Sequence, residues 1–174
     1  KMYRELLLVA VGTHTAFRVS DYANIKWSDL IDAEQITRTE MKTRYAKKKP
    51  RTAYVGPSFK AIIDECQAVM NPYRRDDFVF KPKRGGQIRK HLSRGGVNKI
   101  LKAVVQKYGI KEAEDISSHS LRKCFAMRAY EVLGKNESAL LEVSSLLSHS
   151  NTRITVVYLG IDERSRKEVY KSFF

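Results

Sequence analysis

Ser118-His119-Ser120-Leu121-Arg122 is the stretch from which the rest of the chain is read. It opens an apolar-periodic segment running from about His119 to Leu133 and stopped by Gly134, which predicts a helix. On that helix His119 and Arg122 are three residues apart and project the same way. Downstream, Asn136 is a fitting N-cap for a helix carrying Leu140, Leu141, Leu146 and Leu147. Short helices are expected around Thr152 to Tyr158 and Arg164 to Phe173. Upstream, Gly96 to Tyr108 is amphipathic and closed by Gly109, a C-cap residue. Phe59, Ile62, Ile63, Cys66, Val69 and Met70 fall at helical spacing between Pro57 and Asn71-Pro72. Lys81 to Arg94 reads as a basic, glycine-bearing loop, and Phe78-Val79-Phe80 as a short strand or a core plug.

The N-terminal third adds two helices and the one departure from helix. Met2 to Val11 places Tyr3, Leu6, Leu7 and Ala10 on one face, and a second helix runs from Val19 to Ile25 with Ser20 and Asp21 near its start. Between Trp27 and Val55 the pattern changes: Ile36-Thr37-Arg38-Thr39 and Thr52-Ala53-Tyr54-Val55 are β-prone, and the segment from Tyr45 to Pro50 is polar and basic. That predicts a β-hairpin with a long basic tip in a small antiparallel sheet. The expected fold is therefore mainly α with a small antiparallel β-sheet, an α+β domain without internal repeats.

With 174 residues, of which 43% are hydrophobic, the chain is long enough for one domain with a real core and too apolar for a disordered one. Its 33 Lys and Arg against 19 Asp and Glu give a net charge of +14. Solubility needs far less, so the excess points to an anionic partner. Composition leaves DNA, RNA, a membrane surface and an acidic protein all open. The longest apolar run, Leu6 to Val11, is too short to span a bilayer and is interrupted at Gly12. Cys66 and Cys124 have no metal-site spacing and read as thiols in a reducing cytoplasm. The chain starts inside a helical pattern without a cap before Met2, so a fragment is expected.

Two arginines, two histidines, a lysine and a tyrosine then stand out: Arg18, Lys42, His119, Arg122, His149 and Tyr158. Taken singly, each has an ordinary structural explanation, such as a surface ion pair, a helix end or half-buried packing. Together they suit phosphodiester cleavage. Guanidinium groups clamp non-bridging oxygens and neutralise charge growing in the transition state. A tyrosine hydroxyl can attack phosphorus if its proton is removed, and a lysine or histidine can move the protons. The arginines take the role Mg²⁺ plays elsewhere, and the sequence has neither an acidic cluster for Mg²⁺ nor a Cys/His spacing for zinc. No metal and no cofactor is expected.

The boxes that carry these residues resemble those of the tyrosine recombinase (phage integrase) family. Gly12-Thr13-His14-Thr15-Ala16-Phe17-Arg18-Val19-Ser20-Asp21, running on to Ile25-Lys26-Trp27-Ser28-Asp29-Leu30, looks like the family's first arginine box. Met41-Lys42-Thr43 is similar to its hairpin lysine, and His119-Ser120-Leu121-Arg122 to its HxxR box. Leu146-Leu147-Ser148-His149-Ser150 resembles its L-G-H-S box, and Thr155-Val156-Val157-Tyr158 its nucleophile segment. The five occur in the family's order and cover essentially the whole chain. Ala16 and Ser148 stand where the family usually has glycine, and the hairpin tip is longer and more basic than usual, so Lys47, Lys48 or Lys49 compete with Lys42.

The resemblance implies a catalytic domain that cleaves and rejoins DNA through a 3′-phosphotyrosine on Tyr158. Arg18, Arg122 and His149 would hold the phosphate, Lys42 would be general acid, His119 would assist as acid/base, and Asp21 would support Arg18. It further implies four protomers on two DNA sites, a separate N-terminal core-binding domain, and a nucleoid-associated cytoplasmic protein of bacterial or phage origin. The basic runs containing Arg44, Lys47, Lys48 and Lys49, and Lys83, Arg84, Arg89 and Lys90, would contact double-stranded DNA through phosphates. A type IB topoisomerase shares the chemistry, and a DNA-binding regulator with a decayed site shares the charge. Tyr170 is the alternative nucleophile.

Overall fold

Helix α1 (Tyr3–His14) forms on the recurrence of apolar side chains, and its inward face is sealed: Leu7, Leu8 and Val11 are fully buried. Such a side chain contributes about 1.5–3 kcal/mol when taken out of water. In this computed structural model, residues 2–39, 50–82, 91–113, 115–161, 167–168 and 170–172 are described. The helix continues past the expected end at Val11 because polar side chains close its last turn. Thr13 Oγ1 donates to the Val9 carbonyl at 2.9 Å, His14 Nδ1 lies 2.8 Å from the Ala10 carbonyl, and Thr15 Oγ1 donates to the Val11 carbonyl at 2.9 Å. The His14 ring also stacks on Phe59, with centroids 4.8 Å apart.

Helix α2 (Val19–Tyr22) is shorter than the expected span to Ile25. Ile25 is drawn off by another partner: its carbonyl accepts from the Val79 N–H at 2.9 Å, next to a single antiparallel bridge between Lys26 and Phe78. The Phe78-Val79-Phe80 stretch is thus a core plug on one bridge, with Val79 and Phe80 buried. The expected hairpin strands are present as β1 (Gln35–Arg38) and β2 (Arg51–Tyr54), antiparallel, with Ile36 opposite Ala53 and Arg38 opposite Arg51. Asp29 ties β1 to the preceding 3₁₀ turn (Trp27–Asp29): its Oδ2 accepts from the Lys26 N–H at 2.7 Å and from the Arg38 guanidinium.

Helix α3 (Pro57–Met70) starts on a proline at its first turn and stops before Asn71-Pro72, where the extended residue ahead of proline cannot continue a helix. It packs on α1 and buries Phe59, Ile63 and Cys66. The Cys66 thiol is pushed up to about 11, chiefly by burial, and donates to the Tyr3 carbonyl, whereas Cys124 is exposed. Helix α4 (Arg94–Tyr108) is capped by Ser93, whose hydroxyl accepts from the Gly96 N–H at 3.1 Å. It buries Val97, Leu101 and Val105 at four-residue spacing and ends at Gly109 in the left-handed region. No helix among the described residues is long and apolar enough to cross a membrane.

The chain divides into two compact units, Lys1–Arg122 and Lys123–Phe174. Helix α5 (Ser118–Val132) contains the boundary. In the second unit α6 (Glu137–Leu146) and α7 (Thr152–Leu159) pack on each other, and Asn136 and Asn151 are their side-chain caps. Of the expected helix from Arg164 to Phe173, Lys167, Glu168, Tyr170 and Lys171 are helical, and 162–166, 169 and 173–174 lie outside the described residues.

Gly12 allows α1 to approach the start of α5. A Cβ at this position would lie 2.5 Å from Leu121 Cδ1 and 2.9 Å from Leu121 Cβ. Gly12→Ala gains about 1 kcal/mol of helix propensity, but overpacking at a contact this close costs up to about 3 kcal/mol. Thermal unfolding of Gly12→Ala is therefore expected roughly 4–8 °C below wild type, and an unchanged midpoint would refute the close approach.

Candidate active site

The first unit gathers positive charge around the turn that carries Arg18. That residue is the N-cap of α2, in extended conformation, and its carbonyl accepts from the N–H groups of Asp21 at 2.8 Å and Tyr22 at 3.1 Å. Asp21 is buried at 2% exposure and accepts from Ser20 Oγ at 3.2 Å. Arg51, the first residue of β2, reaches across to the same turn and donates from Nη1 to the Ala16 carbonyl at 2.9 Å. Burial first, then the positive charges of Arg122 and Arg18, hold the Arg51 guanidinium down to about 9, with Asp21 pulling the other way. It therefore stays protonated at neutral pH. Two further guanidinium groups thus act on that of Arg51.

Arg122 reaches this cluster from α5 and is itself buried, at 4% exposure. The helix start that carries it is pinned: the Ser118 N–H donates to Asn98 Oδ1 on α4 at 2.9 Å, and the Ser117 N–H donates to Ser120 Oγ at 3.1 Å. His119, three residues before Arg122, is exposed. An exposed histidine beside a buried arginine on one helix is suited to exchanging protons with a ligand that the arginine holds.

The second unit holds His149 and Tyr158 together. Helix α6 ends in a Schellman motif: the Ser148 N–H donates to the Ser145 carbonyl at 2.9 Å and the His149 N–H to the Ser144 carbonyl at 3.0 Å. That closure needs a left-handed residue, and Ser148 supplies it at φ 47°. The position where the resembling family usually has glycine is thus one that glycine suits by backbone conformation. His149 Nδ1 lies 2.9 Å from Thr155 Oγ1, and its ring meets the Tyr158 ring edge-on, with centroids 5.4 Å apart. Tyr158 is half-buried on α7.

Of the residues singled out in the sequence, the structure brings Arg18, Asp21 and Arg122 into one electrostatic cluster and His149 and Tyr158 into ring contact. Lys42, Arg44, Lys47, Lys48 and Lys49, and likewise Lys83, Arg84, Arg89 and Lys90, lie outside the described residues. In the sequence Arg51 follows directly on the basic stretch that ends at Pro50. Strand alternation could have found it, because Arg51, Ala53 and Val55 share the more buried face while Thr52 and Tyr54 are exposed. Thr155 was read only as part of the tyrosine's segment, although its spacing from Tyr158 puts both on one side of a helix.

The model of the phage integrase family matches residues 1–164. The chain belongs to the phage integrase family. It is 31% identical over 173 residues to the probable integrase/recombinase YoeC of Bacillus subtilis (strain 168), covering 99% of this chain and 86% of that protein. It is 25% identical to the tyrosine recombinase XerC of Pediococcus pentosaceus, covering 98% of this chain and 54% of that one. Among solved structures it is similar to the XerA recombinase (TM-score 0.62, 18% identity, 99% of this chain and 63% of that chain). It is also similar to the XerH site-specific recombinase bound to difH substrate (TM-score 0.62, 17% identity, 99% and 47%). The mostly helical fold with its two-stranded sheet is that of tyrosine recombinase catalytic domains. This family member spans about half the length of its XerC relative.

Two outcomes are expected of this site. Replacing Ser148 by glycine or by alanine removes the hydroxyl in both, so their difference isolates the backbone. The glycine variant should be more stable by about 1 kcal/mol in denaturant unfolding, and equal stabilities would refute a left-handed residue there. The crowded guanidinium groups should also favour an oxyanion. At ten times its dissociation constant, sulfate bound only to the folded state adds about 1.4 kcal/mol, or roughly 3–6 °C. That rise should exceed the one in chloride at matched ionic strength and vanish in Arg51→Met and Arg122→Ala; an equal rise in the variants would refute a shared anion site.

Proposed function

We propose that this chain is the catalytic domain of a site-specific recombinase that cuts and rejoins double-stranded DNA through a covalent 3′-phosphotyrosine, using neither metal nor ATP. The observation that carries this reading is the crowding of Arg18, Arg51 and Arg122, with Asp21 as the opposing charge. A phosphodiester would neutralise that imbalance and accept paired guanidinium hydrogen bonds. The half-buried setting of Tyr158 against the His149 ring supports it further, since a nucleophile sealed in the core could not reach DNA.

In this reading Arg18 and Arg122 bind the non-bridging oxygens and His149 adds a hydrogen bond. The Tyr158 hydroxyl oxygen attacks phosphorus, and its proton passes to a base, a role in which His119 assists. The P–O5′ bond breaks, its electron pair leaves on O5′, and that oxygen takes a proton from Lys42 or from its neighbours Lys47, Lys48 and Lys49. Rejoining runs the same steps backwards with a 5′ hydroxyl as nucleophile, so the phosphodiester's energy is conserved in the phosphotyrosine. The basic runs around Arg44 and around Lys83, Arg84, Arg89 and Lys90 would track the DNA backbone, which makes binding strongly salt-dependent. Four protomers on two sites would complete an exchange.

The test is a library of nicked duplexes with randomised sequence, incubated with the full-length protein and screened for DNA that stays attached after denaturation. Wild type should form adducts and Tyr158→Phe none. An adduct that persists in Tyr158→Phe assigns the nucleophile elsewhere, with Tyr170 the next candidate. Arg122→Ala should slow cleavage by about 10²–10³ or more while DNA binding stays within a few fold; undiminished cleavage would remove Arg122 from the mechanism.

A further inference from the structure

Thr155 carries an interaction that the proposed reaction does not yet use. It is fully buried on α7, and its hydroxyl lies 2.9 Å from His149 Nδ1. The histidine backbone is fixed by the end of α6 through its N–H to the Ser144 carbonyl, at 3.0 Å. Its ring stands edge-on to Tyr158, one helical turn beyond Thr155. The start of α7 is in turn fixed by Asn151, which accepts from the Ile154 N–H at 3.1 Å. A single hydroxyl thus ties the imidazole to the helix that bears the nucleophile.

What that tie decides is the tautomer. A neutral imidazole has one N–H and one lone pair, and the partner of one nitrogen sets the state of the other. A phosphate oxygen only accepts, so a neutral His149 that bonds to it must present an N–H. With Nδ1 held at Thr155, the nitrogen that would present this N–H to the phosphate is Nε2. Nδ1 must then carry the lone pair, and the threonine hydroxyl must be the donor. The opposite polarity would turn the Nε2 lone pair toward the anion and repel it.

We propose that Thr155 is a positioning residue: it donates its hydroxyl proton to Nδ1 of His149 and so holds the ring as the Nε2–H tautomer, ready to donate to the scissile phosphate. The proposal rests on the phosphate role given to His149 above. Burial strengthens the bond, because water does not compete for a hydroxyl shielded from solvent.

Long-range ¹⁵N–¹H correlation spectra of His149 in the DNA-free protein read the tautomer directly. In wild type Nε2 should appear protonated and Nδ1 as the bare, pyridine-like nitrogen. Thr155→Val keeps the shape and loses the hydroxyl, so this preference should collapse to a mixture and cleavage should slow by about ten- to a hundredfold, with DNA binding unchanged. Thr155→Ser should restore both. A protonated Nδ1 in wild type, or a tautomer unaffected by Thr155→Val, would overturn the proposal. His149→Gln separates it from the reading beneath it. If the tautomer depends on Thr155 while His149→Gln leaves cleavage intact, the positioning stands and the phosphate role of His149 is what fails.

Discussion

Like charges held close together and away from water are the constraint around which residues 1–122 are organised. Burial first, and then the charges of Arg122 and Arg18, lower the hold of Arg51 on its own proton. Such an arrangement costs free energy unless the surroundings fix it in place, since each guanidinium would otherwise swing out to solvent. The fixing is visible at every member. Arg51 is tied to the Ala16 carbonyl, the N–H groups of α2 close onto the carbonyl of Arg18, and the start of the helix bearing Arg122 hangs on Asn98. The close passage of Gly12 by Leu121 holds α1 against the start of the helix that bears Arg122. The fold spends stability to hold these guanidinium groups together, and pre-organised charge of this kind can stabilise an anion without reorganising.

The second unit positions its groups by other means. Its contacting pair, His149 and Tyr158, sits at a helix end and one turn in from another, so capping geometry does the aiming. Asn136 starts α6, the Schellman closure at Ser148 ends it, and Asn151 starts α7. Between those fixed points the histidine has little freedom except the state of its proton. The two units therefore differ in kind: one sets a field, the other sets hydrogen-bond directions.

Much of this was legible in the sequence because it rests on local rules. Caps at Asn136 and Gly109, the stop before Asn71-Pro72 and the alternation of the two strands are written in single residues and their spacing. The order of the five boxes made Arg18, Arg122, His149 and Tyr158 stand out. What stayed hidden depends on partners remote in the chain. The extra turn of α1 needs Phe59 as a surface for His14, and α2 ends early because Val79 claims the carbonyl of Ile25. Arg51 looked like one more basic residue, and only its reach across 35 positions to Ala16 separates it from the run before it. Thr155 looked like helix filler until its hydroxyl was seen against an imidazole.

The two cysteines have a practical consequence. Cys66 is closed off in the core with its thiol pushed up to about 11, so it holds almost no thiolate at neutral pH, whereas Cys124 is exposed two positions beyond Arg122. Thiolate content and access together govern alkylation. Of the two cysteines in these 174 residues, only the one on the helix that carries Arg122 is open to a fluorescent or spin label.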